Sequence, residues 1–525
     1  LDDQDVYAEI QRADTVGDFQ IESRAQMQSL LRTKPETIDD LTIRVALVRP
    51  GPIQGKAVHP YIEHRRLLRE DPSFVFPVPD ESLREPLAAT LGVVVFQDQV
   101  LDVAIALAGY TIGEAEGLRR AMSRKRSHEA LEAHRERFVS GAIGRGVGAV
   151  VAEGVFDTLV GFSGFGFPKA HAAAFGLLAY QSAWLRHHYP AEFLCGLLNE
   201  QPMGFYPPDS LVHEAQRRGI RIAPPDANRS HLLCRVESAH RDGPELRGGE
   251  VVRIGLGYVK GVRKEEMEEL VAERGRGGPY GGVAELASRS GAGLPSLEKL
   301  AWAGALDGIP AGSGSERREA LWRVGVASAG RGAGGATQLA LPLEPPEPPR
   351  LAPLGEWGKL IADYRSTGLT LGKHPMKLLR PGLDPAIASS ADLGRIDDGA
   401  TVEVAGMVVA RQRPETAKGI VFMLLEDERG TVNLIVPGKV YDRHRALVRT
   451  APLLRARGRL ERREGTINVL VAEVAALERT EPPPAPAQTE RAEPDPGARR
   501  ERRRLAVAEL RAVAPAGHSF GRRGR

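Results

Sequence analysis

TIGEAEGLRRAMSRKR, residues 111–126, changes electrostatic character within one helical span. Glu114 and Glu116 stand near its start, and Arg119, Arg120, Arg124, Lys125 and Arg126 follow with no acid among them. Carboxylates early and cations late complement a helix dipole, but five cations within eight residues go beyond that need. Such a helix repels itself unless water or a polyanion neutralises it. Phosphate suits the planar fork of arginine, which pairs two oxygens at once. A solvated basic face is the competing reading, and composition alone does not separate the two.

Outward from this stretch, residues 1 to about 200 read as largely helical, with helical spacing in Asp2–Arg12, Gln26–Leu31, Thr37–Val48 and Gln97–Leu107. Arg49-Pro50-Gly51-Pro52 must break any helix it meets. After a further helical block, Glu129–Gly148, comes GFSGFGFPKAH, residues 161–171, where glycines alternate with phenylalanines ahead of Lys169 and His171. Glycines allow close backbone approach, aromatics stack on bases and the two cations donate; a hydrophobic plug is the plainer reading. His187 and His188 are adjacent on a helix, point to different faces and do not form a metal pair.

From 201 to 325 the texture changes. Ile220–Pro225 and Val251–Leu256 suggest short strands, and glycine turns at Gly255, Gly257 and Gly261 head a helix at Glu265–Arg274. Turn N–H groups at a helix start can hold phosphate without reading sequence, so Gly257, Lys260 and Gly261 are candidate DNA contacts. LPSLEKLAWAGA, residues 294–305, looks like a second helix-and-turn of the same kind, giving a helix-hairpin-helix pair; a small packing domain with glycine caps is the alternative. Residues 326–355 form a Gly- and then Pro-rich linker. Within it Gln338, Leu339, Leu341 and Leu343 have the look of a peptide that docks in a partner's groove, with chance as the competitor. A connecting helical segment, 356–395, follows.

Residues 396–478 carry five strand-like runs: Thr401–Gln412, Ile420–Glu428, Thr431–Val436, Pro452–Arg462 and Thr466–Val474. A short helix, Tyr441–Val448, falls between the third and fourth, which is the element order of an OB-fold. Arg411, Arg413 and Lys418, with Arg455, Arg457 and Arg459, charge its surface, as DNA contacts or as a solvated face. The tail, 479–525, is Pro-rich and then Arg-rich and reads as a disordered basic tail.

Composition sets bounds. A chain of 525 residues should hold three or four domains at about 150 residues each. Hydrophobic residues at 42% can build cores, while 71 basic against 68 acidic residues leave only +3, so polyanion affinity must come from local clusters. Cys195 and Cys234 make neither a disulfide framework nor a zinc set, which fits a reducing cytoplasm. No apolar run is long enough to span a membrane. The start, LDDQDVYAEI, has no initiator Met and no signal-like core, and the expectation is the downstream part of a longer product.

FQIESR (19–24), RPGP (49–52), FQDQV (96–100), GYTIGEAEGLRRAM (109–122), GFGFPKAHAAAF (164–175) and HYPAEF (188–193) together resemble the bacterial C-family DNA polymerases, of the polymerase III α subunit type. LNEQPMGFYPP (198–208), DYRSTGLTLGKHP (363–375), ARQRPETAKGIVFMLLEDERG (410–430) and GHSF (517–520) are similar to its error-prone branch, used in damage-induced mutagenesis. The resemblance implies a multidomain α+β chain: a mainly helical fingers region to 200, a helix-hairpin-helix region for DNA, then a five-stranded OB-fold barrel.

What the resemblance implies for function is a C-terminal part of an error-prone DNA-directed DNA polymerase, active in replication and translesion synthesis. Its partners would be primer–template DNA, dNTPs, the sliding clamp through Gln338–Leu343, and other mutagenesis-complex proteins. By the same resemblance Arg119 and Arg120 would hold the incoming triphosphate, Lys169 and His171 would close near the nascent pair, and Arg124, Lys125 and Arg126 would lie by DNA. Asp98 stands where the family more usually has Glu. The full-length enzyme would use Mg²⁺. The family's catalytic aspartates belong to segments ahead of this sequence, so no catalytic or metal-ligating residue is expected here, and the chain alone should be inactive. Adjacent pairs such as Asp2-Asp3, Asp39-Asp40 and Asp397-Asp398 diverge on any regular element. A non-catalytic DNA-binding scaffold built from such modules is the alternative.

Overall fold

The computed structural model describes the chain outside residues 49–56, 124–127, 162–166, 205, 239–249, 310–315, 329–348, 350, 415–416, 418, 464–465, 478–508, 515–517 and 521–525. Arg124, Lys125, Arg126, Lys418 and the peptide Gln338–Leu343 lie outside the described residues. The chain packs as two compact units, Leu1–His188 and Tyr189–Arg525, dividing ahead of the boundary expected near 200.

The first unit is helical. Its elements are α1 (Gln4–Gln11), α2 (Arg24–Thr33), α3 (Ile38–Leu47), α4 (Val58–Glu70), α5 (Asp98–Ala108), α6 (Ile112–Ser123), α7 (His128–Gly144), α8 (Ala149–Gly161) and α9 (Lys169–His188). Local signals set several ends: Asp3 caps α1, and Thr37 with Asp40 forms a capping box on α3. One core gathers Leu107, Leu118, Phe138, Phe156 and Leu159; a second gathers Val6, Tyr7, Ile10, Leu30, Leu41 and Tyr180.

Arg186, near the end of α9, is 6% exposed and answers a group of acids around α1. Its guanidinium reaches Glu9 at 3.1 Å, Asp14 at 3.4 Å and the fully buried Asp18 at 3.1 Å. The two histidines that follow take separate carboxylates: His187 meets Glu9 at 3.0 Å and His188 meets Asp3 at 2.7 Å.

The second unit opens with α10 (Pro190–Asn199) and α11 (Pro208–Arg217), followed by a three-stranded sheet of β1 (Arg221–Ala223), β2 (Arg235–Ser238) and β3 (Glu250–Arg253), in the order β1-β3-β2. Then come α12 (Lys264–Gly277), α13 (Val283–Arg289), α14 (Leu294–Trp302), α15 (Arg317–Ser328), α16 (Glu356–Ser366) and α17 (Pro375–Leu379). Leu256, Leu270, Leu286, Leu297 and Leu300 close their core. Cys195 and Cys234 are both buried, and burial pushes the Cys234 thiol up to about 11.

The barrel follows the expected strand order. After β4 (Ile387–Ala388) come β5 (Thr401–Gln412), β6 (Val421–Glu426) and β7 (Thr431–Val436). Two short helices, α18 (Gly438–Arg443) and α19 (Arg445–Thr450), replace the single helix expected there and lead to β8 (Leu453–Arg463) and β9 (Thr466–Ala476). The sheet runs β5-β6-β7-β9-β8 and closes through β5–β8, with β7 and β9 parallel. Strand β8 alternates strictly: Leu454, Ala456, Gly458 and Leu460 face inward, and Arg455, Arg457 and Arg459 face out. Its register shifts beside Gly458, where a Cβ would overlap the Leu470 carbonyl.

Two short segments of the tail, 509–514 and 518–520, are described and structured, where disorder was expected for most of its length. Among its described residues, Leu510 is fully buried with Leu360, Tyr364 and Leu477, and β10 (His518–Phe520) pairs parallel with Ala410–Gln412 of β5. The reason is an edge: the later half of β5 needs a partner opposite β6, and β10 supplies it.

Two outcomes check this packing. Arg186→Met should lower stability by about 3–5 kcal/mol in urea unfolding, because it strands the buried Asp18 carboxylate, and adding Asp18→Asn should recover part of that loss. In the folded protein at pH 8, iodoacetamide should leave Cys234 unlabelled, and labelling should rise sharply once the chain is unfolded.

Candidate functional site

Helix α6 begins at a reciprocal cap, with Thr111 N–H donating to Glu114 at 2.7 Å and Glu114 N–H donating to the Thr111 hydroxyl at 3.3 Å. Two turns on, Arg119 and Arg120 share a single carboxylate. Arg119 Nε donates to Glu116 Oε2 at 2.7 Å, and Arg120 Nε donates to Glu116 Oε1 at 3.1 Å. These are i,i+3 and i,i+4 pairs, the separations at which helical side chains meet. Hydrogen bonds from Arg119, then Arg120, hold the Glu116 carboxyl down at about 2. Arg120 remains 69% exposed at its side chain and Arg119 32%.

FQDQV stands beside this helix in two separate roles. Gln99 faces inward, where its Oε1 accepts from the backbone N–H of Val95 and Phe96 and its amide donates to Thr90 at 2.7 Å. Asp98 reaches the first N–H of α9, accepting from Lys169 at 2.6 Å. A carboxylate at a helix start is favoured by the dipole and by the unsatisfied N–H groups. Even with the shorter side chain, the bond is made. Asp98 also lies within electrostatic reach of Arg119, and Asp102 within reach of both Asp98 and Lys169.

Lys169 and His171 are exposed on the first turn of α9. Beneath them Phe167 is buried, and the ring of His171 packs edge-on against Phe167 at 4.8 Å and Phe175 at 4.3 Å, while residues 162–166 of the loop lie outside the described residues. Phe19, from the FQIESR segment, stacks on Phe175 at 5.3 Å and 12°. Asp98, Lys169 and His171 therefore gather at the start of α9, with Arg119 within electrostatic reach of Asp98.

The second unit redistributes the predicted DNA contacts. Gly261 makes the turn ahead of α12 at φ +77°. Gly257 does not offer its N–H outward, because it donates to Leu232 O at 2.9 Å. Lys260 is likewise engaged, its N–H on Ser366 O at 2.6 Å and its ammonium on Tyr364 O at 3.0 Å. This turn is held to α16 rather than left open.

On the barrel, Arg411 corrects the sequence reading. The register shift between Val408 and Ala410 turns it inward, where it is 7% exposed. It donates to Val448 O at 2.8 Å and to Ala451 O, capping the C-terminal carbonyls of α19, and burial lowers its pKa to about 10. Arg413 is exposed and lies over the Tyr441 ring at 4.5 Å. Sequence reasoning missed a groove of about 630 Å³ walled by Arg443, His444, Arg457, Arg459 and Glu473. The alternation of β8 was its only signal.

The aspartate pairs do not fit a Mg²⁺ pair. Asp3 caps α1 and takes His188, Asp40 caps α3 and pairs with Arg65 at 2.6 Å, and Asp398 accepts from Arg462 N–H at 2.7 Å. Among the described residues, no helix is long and apolar enough to cross a membrane. Arg411→Ala should lower the melting temperature of the chain, at a cost of about 2–4 kcal/mol from unmatched buried carbonyls and lost packing. Arg413→Ala should leave melting nearly unchanged.

Comparison with known proteins agrees with this layout. Residues 1–146 match the bacterial DNA polymerase III alpha subunit finger domain, 219–320 a helix-hairpin-helix motif, and 402–477 an OB-fold nucleic acid binding domain. The chain is 45% identical over 479 residues to the error-prone DNA polymerase of Anaeromyxobacter sp. (strain K), covering 91% of this chain and 41% of that protein. It is 43% identical over 458 residues to that of Burkholderia pseudomallei, covering 87% and 42%. It is 41% identical over 475 residues to that of Pseudomonas syringae pv. tomato, covering 89% and 44%. The chain thus spans less than half the length of these relatives. Finger, helix-hairpin-helix and OB-fold modules in that order, with 41–45% identity over about nine-tenths of the chain, make it similar to part of the error-prone DNA polymerases, with a finger domain of the bacterial DNA polymerase III α subunit type.

Proposed function

We propose that this chain works as the nucleotide-gripping and DNA-binding portion of an error-prone DNA-directed DNA polymerase. The observation that carries the reading is the pair Arg119 and Arg120 on one carboxylate, Glu116, with Arg119 within electrostatic reach of Asp98 at the start of α9. Two guanidinium groups held together on one helix match the adjacent oxygens of a triphosphate. Glu116 then acts as an internal stand-in for the ligand, keeping both forks assembled until phosphate replaces it. Lys169 and His171 line the same edge, where an incoming base would stack and its phosphates find further cations.

In this reading the helix-hairpin-helix region and the OB barrel bind DNA. The exposed charges at Arg413, Arg457 and Arg459 supply backbone contacts, which are independent of sequence and weaken with salt. Mg²⁺ supplies the Lewis-acid chemistry of nucleotidyl transfer when bound. No step through it follows from the residues here, and we place its carboxylates in the remainder of the full-length enzyme. Translesion synthesis, the sliding clamp and other mutagenesis-complex proteins enter on the strength of the relatives' name and the linker peptide Gln338–Leu343.

Single-nucleotide primer extension by the full-length enzyme tests the grip. Arg119→Ala should raise KM for dNTP by about tenfold or more, on the scale of one lost charge-assisted contact, with DNA affinity changed far less. Glu116→Gln should shift dNTP use in the opposite direction or leave it unchanged. Equal losses in dNTP use and DNA binding for Arg119→Ala would return the helix to a solvated basic face.

A further inference from the structure

The second unit buries a group of side chains that neither the nucleotide nor the DNA reading uses. His213 lies on α11, His374 in the turn ahead of α17, and Glu426 at the end of β6. They are 5%, 9% and 2% exposed. One ligand-type atom from each lies within 4.8 Å of the other two, and the two imidazole centroids are 4.6 Å apart at 64°.

Their polar atoms are poorly matched by protein. Both ring nitrogens of His213 and Nε2 of His374 make no hydrogen bond. Buried polar atoms without partners are rare and need an explanation; here His213 Nδ1 and His374 Nε2 belong to rings packed against each other beside Glu426, while His213 Nε2 faces Asp209. His213 Nδ1 sits 3.5 Å from Glu426 Oε1, long for a hydrogen bond but ordinary for two atoms facing one ion.

The surroundings are built to hold these groups still. Asp209 Oδ1 lies 3.7 Å from His213 Nε2, and Asp209 is itself fixed by Thr370 N–H at 2.9 Å and the Tyr364 hydroxyl at 2.8 Å. A carboxylate behind one nitrogen of an imidazole, with the other nitrogen facing inward, is where the orienting partner of a metal-ligating histidine stands, although at 3.7 Å no hydrogen bond is made. Glu426 is held by the Ser210 hydroxyl at 2.8 Å and by Arg217 at 2.9 Å, leaving lone pairs on both oxygens. With both imidazoles neutral, Asp209, Glu426 and Arg217 leave one net negative charge.

We propose that His213, His374 and Glu426 bind one transition-metal dication of the Zn²⁺ class, clasping α11 and the turn ahead of α17 to the OB barrel. Two imidazole nitrogens and one carboxylate oxygen are a zinc-type donor set, whereas Mg²⁺ and Ca²⁺ take oxygen. Ligation through Nε2 of His374 puts its proton on Nδ1, so the Met376 N–H bond to Nδ1, 3.1 Å long, is exchanged for a metal–nitrogen bond. Because all three ligands are buried, the ion has a structural role separate from nucleotidyl transfer, and the inference does not rest on the nucleotide reading.

The test uses the full 525-residue chain, stripped with EDTA, dialysed, and titrated with Zn²⁺ alone and in parallel with Co²⁺. The expected result is about one ion per chain after gel filtration, visible Co²⁺ bands of a low-coordinate N/O site and a melting temperature raised by Zn²⁺. Millimolar Mg²⁺ should not compete. His374→Gln should weaken Zn²⁺ binding by about tenfold or more with an unchanged far-UV spectrum, while His187→Gln, in the other unit, should bind like the parent. Wild-type protein that shows neither stoichiometric Zn²⁺ nor a melting shift would overturn the proposal, whether or not the variants fold. Equal Zn²⁺ binding by parent and His374→Gln would overturn it too.

Discussion

A carboxylate taken out of water has to be matched, and in the second unit that demand falls on Asp209. It is 2% exposed, and its two oxygens are answered by the Tyr364 hydroxyl on α16 and the Thr370 N–H in the turn beyond. Tyr364 is fully buried among Leu360, Met376, Met407 and Leu453, so the same bond ties α11 to side chains of the barrel strands. Removing any one partner would leave a buried polar group unsatisfied, which is worse than never having buried it. Arg186 plays the corresponding part in the first unit, with its charge set among Glu9, Asp14 and Asp18.

The basic helix shows how misleading a charge run can be when read along the chain alone. Arg119 and Arg120 follow the acids in sequence, so they look unneutralised. On a helix, Glu116 lies one turn below both, and its carboxylate spans them. A small internal anion thereby holds together two forks that would otherwise repel.

Much of the architecture was legible because it is written in periodicity. The alternation in LLRARGRL placed three arginines outside the barrel and its core inside, and the spacing of five runs gave the strand order. Arg411 was misread because a single register shift in β5 reverses which face a residue takes, and nothing in MVVARQ, residues 407–412, announces that shift. The Lys260 turn was misread for a different reason. Its glycines did signal a tight turn, but the carbonyls that accept its N–H and ammonium groups lie a hundred residues further along. His213, His374 and Glu426 were invisible for the same reason, since no local spacing connects a helix, a turn and a strand end.

The pairing of β10 with β5 bears on how the chain is made. Strand β5 can associate with β6 and β8 as soon as those segments leave the ribosome, yet its last residues, Ala410–Gln412, keep an open edge until His518–Phe520 emerge. During that interval the nascent barrel presents unpaired N–H and C=O groups to any other strand it meets. Synthesis order therefore leaves one seam of this fold to be sealed last, and a ribosome stalled in the long polar stretch before it would hold the seam open.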